Sequence, residues 1–385
     1  MKHEDTDDDD DDDDDDEDEN YQAFNESYFT RIFEQEKMLS DRRRMNFYHA
    51  IIQKYVATSK KNKKVVLDVG TGTGVLAAWS SQAGASKVIA IDHSEKNVSL
   101  AATLADANGC NNIEFMVGHS SQFTCQQKVD VIVHEQIGDI LFDECMVETI
   151  CDLKERVLKP GGSIVPSQFS LFIEPVQLDD DRHISMVQNM TSHGIDFSCL
   201  QEFVETQDTN PDYYHFRSSD ASIVDHTLTT PSSCWDVDLY TIAREEISAK
   251  TQLEFSRRVK HPGRMDALCV YFQCHDDELC ITSGPSKDRC SHWGMRMLRV
   301  PEMWCSEGDE LHIKVSVVES WEDLNSWRWS VVRNGHEEQH QMTSKDVTFL
   351  SSAELAALRG SSESNSVSNS VSSGSGLASK KRKKR

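Results

Sequence analysis

The stretch Val65-Val66-Leu67-Asp68-Val69-Gly70-Thr71-Gly72-Thr73-Gly74-Val75-Leu76 restricts the fold of this chain more than any other. A short apolar strand pattern runs into three alternating glycines and then into helical periodicity. The glycines let main chain approach a ligand closely. The alternation continues downstream, with strand Lys87–Ile91, a helix near Ser94–Ala107, and strands Ile113–Val117 and Val129–Val133. Strands alternating with helices predict an α/β fold with a parallel, doubly wound sheet over residues 61–166. Ahead of it, the amphipathic pattern from Tyr28 to about Tyr55 predicts a helical unit within residues 21–60.

In such a sheet ligands bind at the carboxyl ends of the strands. Asp92 ends the second strand, 22 residues after Gly70, where a carboxylate can accept both hydroxyls of a ribose. Dinucleotide enzymes share this logic. The Gly-x-Gly-x-Gly form, with Asp68 inside the strand, points instead to S-adenosyl-L-methionine, which has no pyrophosphate to cradle. At the fourth strand the chain reads Val-His-Glu-Gln-Ile-Gly-Asp-Ile-Leu-Phe-Asp-Glu-Cys-Met, setting Glu135 and Glu144 nine residues apart. Two carboxylates held together repel by roughly 4 kcal/mol at 4 Å and an effective dielectric near 20. Such a pair must share a proton, hold a metal or await a cation. Strand order sets the Asp92 and Glu135 strands on opposite sides of the glycine strand, with the glutamates facing the methyl donor.

After Lys159-Pro160-Gly161-Gly162 the runs Phe169–Val176, Ala267–Cys274, Met295–Val300, Leu311–Val318 and Ser326–Val332 are β-rich, and a second, all-β domain is expected over residues 167–350. Residues 184–218 look like an insertion in it. The net charge of −25 comes from residues 1–20, which contribute −14 and include the unbroken run Asp7–Asp16, and from a body at about −17, with +6 in the last six residues. Residues 1–20 are expected to be a disordered solubilising or interaction tail, and 351–385 a Ser-rich linker with the basic cluster Lys380–Arg385. The acidic body disfavours direct nucleic-acid binding and favours a cationic partner. Eleven scattered cysteines without a Cys-x-x-Cys pair indicate free thiols and no metal centre. No apolar run is long enough for a membrane span, so a cytoplasmic protein is expected, entering the nucleus if the basic cluster acts as a signal.

From Tyr28 to Val332 these motifs, in this order, resemble the protein arginine methyltransferases. The resemblance implies a Rossmann-like S-adenosylmethionine-dependent methyltransferase domain, then an all-β, barrel-like domain carrying a helical dimerisation arm at residues 184–218, and a homodimer. It implies that Tyr28-Phe29 and Met38–Arg44 close over the cofactor, with Arg44 holding the methionine carboxylate. Met38, Asp68, Gly70, Thr71, Gly72, Asp92, Ser120 and Ser121 would complete the cofactor site. Glu135 and Glu144 would grip the substrate guanidinium, a planar cation with five donors. His292, paired with Asp41, would relay the proton. Tyr28, Phe29, Trp293, Met146, Asp139 and Asp143 would line the substrate pocket, the two aspartates favouring protein substrates with Gly-Arg-rich or Arg-x-Arg sequences, such as RNA-binding proteins and histones. Blander readings exist for some of these. Arg44 belongs to a basic run, Trp293 could be barrel core, and a lone histidine is more often structural.

The chain departs from the asymmetric-dimethylating pattern. Its first glutamate is flanked by His134 and Gln136, and Gly118-His119-Ser120-Ser121 offers no carboxylate to the adenine. His119-Ser120-Ser121 resembles the monomethylating, type III branch, although Met38 and Met146 match methionines of asymmetric dimethylators. The expected product is ω-N-monomethylarginine, with asymmetric dimethylarginine as the alternative. A non-catalytic cofactor-binding scaffold, an RNA-binding regulator and a methyltransferase for neutral acceptors fit the residues less well.

Overall fold

The computed structural model describes residues 30–57, 63–181, 186, 190–200 and 213–333. Tyr28, Phe29 and both tails lie outside the described residues. The amphipathic opening forms two helices, α1 (Ile32–Ser40) and α2 (Arg42–Val56), divided at Asp41. The division is chemical, because Asp41 Oδ1 accepts from the amides of Arg43 and Arg44 and so caps α2. Helix α2 buries Phe47, Tyr48, Ile51, Ile52 and Val56, the i, i+4 stripe that the sequence pattern displays.

Next come β1 (Val65–Val69), α3 (Val75–Gln82), β2 (Lys87–Asp92), α4 (Glu95–Ala107), β3 (Ile113–Val117), β4 (Val129–His134), α5 (Met146–Val157) and β5 (Leu158–Val165). The five strands form a parallel sheet of order β3-β2-β1-β4-β5. The glycine strand is therefore central, flanked by the strands that end at Asp92 and His134, as the sequence predicts. Gly70, Gly72 and Gly74 all take positive φ, the region that disfavours side chains. Gly74 also lies against the facing helix, where a Cβ would come within 2.7 Å of Ala101 Cβ.

The second part is all-β. Strands β6 (Gln168–Leu178), β9 (His215–Ser218), β10 (Val224–Thr227), β13 (Gly263–Asp276) and β15 (Met295–Cys305) build a sheet of order β10-β6-β13-β15-β9, to which β11 (Trp235–Asp238) and β14 (Leu279–Thr282) attach. A smaller sheet joins β12 (Gln252–Arg258), β16 (Glu310–Val317) and β17 (Trp327–Arg333). Within the expected arm, residues 190–200 form a hairpin of β7 (Thr191–Ser192) and β8 (Ile195–Asp196) followed by a 3-10 turn. Its far end differs from expectation. His215–Ser218 pair with Met295–Leu298 as an edge strand, because ladder hydrogen bonds claim them for the large sheet.

One apolar core runs through both parts. Phe142, Trp235, Trp321 and Trp327 pack in sequence, tilted and then edge-to-face, with ring centroids 4.8, 5.5 and 5.0 Å apart. Among the described residues no helix is long and apolar enough to cross a membrane. Gly74→Ala is expected to destabilise the protein by about 2–4 kcal/mol, from overlap with Ala101 and the left-handed backbone. Urea unfolding midpoints of the variant and the parent check this.

Candidate functional site

Glu135 follows β4 directly, at the carboxyl edge of the sheet and beside the glycine turn, where a Cβ on Gly70 would meet the Gln136 side chain at 3.7 Å. The segment from Glu135 to Cys145 then crosses to α5 almost without regular structure. Leu141 and Cys145 have φ of +76° and +51°, a conformation costly for side-chain-bearing residues, and they bracket Glu144. Contacts with the barrel hold the segment in place. The Trp293 indole donates to the Ile137 carbonyl at 2.5 Å, and Phe142 packs at a tilt against Trp235. Asp139 accepts from the Gly294 amide at 2.6 Å and from Arg217 at 2.6 and 3.3 Å.

From the other side α2 presents Arg44, whose guanidinium pairs with Glu135 in buried surroundings. Arg44 also donates to the Met38 carbonyl at 3.3 Å, and its charge lies 5.6 Å from the centre of the Tyr48 ring. Burial works against that charge, but Glu135 more than offsets it and Arg44 is held above its ordinary value. Asp41 Oδ2 accepts from the main-chain N–H of His292 at 3.0 Å. The expected pairing of Asp41 with the His292 imidazole is thus corrected. Three backbone amides take the carboxylate, and the ring lies against Trp293 with centroids 5.3 Å apart.

Electrostatics divides the carboxylates. Asp139, although burial opposes its charge, is kept below the usual carboxylate range by Arg217, Arg296 and the Gly294 amide. Burial pushes Asp143 up to about 6, helped by the charge of Asp139. Glu144 is pushed well above the ordinary glutamate value by burial, then by Glu135, Asp143 and Asp139. Among the described residues Glu144 has no hydrogen-bond or ion-pair partner of its own. Burial lowers His292, which favours the neutral ring. His134, fully buried and bonded through Nε2 to the Pro166 carbonyl at 2.9 Å, is lowered to about 4.

The glycine turn forms a cradle next to this cluster. Gly72 N–H and Ser94 N–H donate to Asp92 at 2.9 Å each, and Thr71 Oγ1 donates to Asp68 Oδ2 at 2.6 Å. The second oxygen of Asp68 and the Nε of Arg44 are buried without partners. Orphaned buried polar atoms of both signs on either side of a close-approach glycine turn suit a polar ligand with a carboxylate and donors. Ser120 and Ser121 form a turn beyond β3, adjacent to the Asp92 strand, with His119 Nδ1 2.7 Å from Ser121 Oγ. Among the described residues no group of three or more metal-ligating side chains is present.

The expected residues Glu135, Glu144, Arg44, Asp41, His292, Met38 and Met146 thus converge on one region, next to the Asp68, Gly70, Thr71, Gly72 and Asp92 cradle. Two expectations for the pocket wall change. Trp293 is barrel core, 2% exposed and packed on Phe272, and acts as a strut under the loop. Asp139 is engaged by arginines of this same chain, so its charge is not free for a substrate. Asp143 folds back over Gly138, where any Cβ would overlap its carboxylate. The sequence reading passed over Tyr48, Gln35, Arg217 and Arg296. Tyr48 had a signal, being one helical turn from Arg44. Gln35 lies 3.4 Å from a Cβ built on Gly72, and nothing in the sequence links Arg217 to a loop 78 residues away.

Burial pushes the Asp68 carboxyl up to about 7 from an ordinary 3.8, so folding favours its protonated form. Stability is therefore lost as pH rises between those values, by on the order of 4 kcal/mol. Asp68→Asn keeps an acceptor for Thr71 and removes this loss. Thermal melts without ligand are expected to show the variant gaining on the parent from pH 5 to pH 8.

Residues 50–169 match the family model described as ribosomal protein L11 methyltransferase (PrmA), and residues 168–330 match the arginine methyltransferase oligomerization subdomain. Protein arginine N-methyltransferase PRMT10 of Oryza sativa subsp. japonica is 28% identical over 326 residues, covering 77% of this chain and 83% of the rice protein. Protein arginine N-methyltransferase 6 of Danio rerio is 31% identical over 271 residues, 68% of this chain and 75% of the fish protein. The crystal structure of Arabidopsis thaliana protein arginine methyltransferase 10, described as uniquely open, superposes with a TM-score of 0.65 at 25% identity, over 80% of this chain and 94% of that one. The Trypanosoma brucei PRMT1 enzyme-prozyme heterotetramer with AdoHcy shares the fold, with a TM-score of 0.63 at 20% identity, over 79% of this chain and 99% of that one. Glycine cradle, paired glutamates, barrel and relatives agree, and the chain belongs to the protein arginine N-methyltransferase family.

Proposed function

We propose that the protein methylates a guanidino nitrogen of arginine in protein substrates and that its product is ω-N-monomethylarginine. The observation that carries this reading is the pair Glu135, with its side chain buried, and the half-buried Glu144, one glutamate held by Arg44 and the other without an ion-pair partner among the described residues. Bound S-adenosylmethionine supplies an electrophilic methyl group on a sulfonium. Arg44, with its unpartnered Nε, would hold the amino-acid carboxylate, and Asp92 the ribose. Asp68 and the turn Gly70-Thr71-Gly72 would form the floor of that site.

A substrate guanidinium entering between the glutamates provides the charge that Glu144 lacks. Its planar donors match carboxylates in bidentate geometry. Gripping two nitrogens draws positive charge toward them and leaves the third with electron density for in-line attack. Because arginine stays protonated in water, alignment and charge placement contribute more than prior ionisation. His292, kept neutral by burial, can take the departing proton. Its Asp41 neighbour fixes the main chain and leaves the ring nitrogens free for that task.

Monomethylation is supported by crowding from the buried Tyr48 ring beside Arg44, although Met38 and Met146 match methionines of asymmetric dimethylators. A methylated nitrogen re-entering for a second transfer would need that space. His119-Ser120-Ser121 supports the same reading by resemblance. Substrates with neighbouring arginines fit the acidic body, with Asp143 as the remaining acidic neighbour of the pocket. Assembly as a homodimer is supported by the oligomerization-subdomain match and by exposed Ile195 on the hairpin and Leu200 on the 3-10 turn after it.

Incubation with labelled S-adenosylmethionine and a Gly-Arg-rich peptide, followed by separation of methylarginines, is expected to give monomethylarginine alone. Asymmetric dimethylarginine would reverse the product assignment. Glu135→Gln and Glu144→Gln are each expected to lower kcat/KM by about 10²–10³, and full activity in either would defeat the mechanism. Glu144 must be ionised to hold the guanidinium, and its pKa is raised, so kcat/KM should fall on acidification well above pH 4.5. Asp143→Asn removes a neighbouring negative charge and should move that acidic limb to lower pH.

A further inference from the structure

We infer that Asp139 is a positioning residue for the glutamate loop, locked by a pair of arginines on the barrel edge. The inference rests on the proposed role of Glu144 and adds residues to it. Arg217 on β9 and Arg296 on β15 are directly opposite each other in the antiparallel register. Like charges in that relation repel. Both turn their guanidinium groups to one carboxylate, with Arg217 Nε 2.6 Å and Arg296 Nη2 3.3 Å from Asp139 Oδ2. The other oxygen accepts the Gly294 amide at 2.6 Å and Arg217 Nη2 at 3.3 Å. Asp139 is therefore the counter-ion of a cross-strand arginine pair and is itself saturated.

The packing admits little else. A Cβ on Gly294 would come within 2.6 Å of Arg217 Nε, so the guanidinium crosses that position because no side chain is there. Five residues beyond Asp139 is Glu144, between two residues held in left-handed backbone. Such a conformation persists only where surrounding contacts over-determine it. Trp293 anchors the start of the segment at Ile137, and Phe142 packs against Trp235 further along. The Asp139 lock supplies the charged contact between those two, on the barrel wall that also presents His292. Without it the segment can relax away from its strained conformation, and Glu144 moves with it.

The test compares Arg217→Met, Arg217→Lys and Asp139→Asn with the parent. The Arg217 side chain is 44% exposed, so Met at that position should leave the fold intact, which melting curves check. Amide hydrogen exchange is expected to accelerate at least tenfold within residues 136–145 in Arg217→Met and Asp139→Asn. With a Gly-Arg-rich peptide, kcat should drop at least tenfold in both while the dissociation constant of S-adenosylhomocysteine changes less than twofold. Lysine, which keeps the charge, should restore at least half of kcat. Unchanged exchange in both variants, an equal loss of kcat with lysine and methionine, or a loss explained by cofactor affinity would overturn the inference. If the parent does not methylate arginine, the proposed function fails. The exchange data then still decide whether the lock exists.

Discussion

Negative charge confined to one loop is the condition to which the rest of this site responds. Glu135, Asp139, Asp143 and Glu144 lie within ten residues and largely out of water. Arg44 neutralises Glu135 at the start of the loop, and Arg217 and Arg296 neutralise Asp139 in its middle. At the far end Glu144 has no such partner among the described residues, and the carboxyl groups of Asp143 and Glu144 shift toward protonation. That arrangement supports the proposed seat for one further cation. Its position, beside a glycine turn built for close approach, would set that cation next to the methyl donor in the proposed reaction.

The scaffold makes this imbalance sustainable. A loop carrying uncompensated charge would ordinarily swing into solvent. Here its apolar residues Ile137, Ile140, Leu141 and Phe142 are buried in the core shared by the parallel sheet and the barrel. At roughly 25 cal/mol per Å² of apolar surface, several buried side chains outweigh a few kcal/mol of charge repulsion. Lys154 reaching the Leu239 carbonyl and Ile164 N–H reaching the Tyr240 hydroxyl, each at 2.8 Å, tie the two parts together elsewhere. Two pieces with distinct sequence textures therefore behave as one packed body around the site.

Much of this was legible in the sequence, for identifiable reasons. Periodicity is a local property, so β1 to β4 and the glycine turn could be read within a residue or two. The Asp92 and Glu135 positions followed from strand order, which a doubly wound sheet makes nearly obligatory. What stayed hidden depends on long-range pairing. Arg217 meets Asp139 only because β9 joins β15, and the residues 184–218 read as an insertion gave no hint that their last four form a barrel strand. Main-chain chemistry was equally invisible, since a histidine near an aspartate suggests a ring contact while the fold uses the amide. Trp293 could be read as pocket or core, and burial decided for core.

The Asp41 contacts bear on how freely this region can vary. Its carboxylate accepts from the amides of residues 43, 44 and 292, and those donors persist with any residue but proline at the three positions. A change at His292 therefore alters imidazole chemistry while leaving the helix-to-barrel tether in place. A change at Asp41 removes the helix cap and the tether together, although it never touches the imidazole. Inactivation by the first kind of change reports on proton transfer, and inactivation by the second reports on architecture, so the two neighbours are not interchangeable evidence for a proton relay.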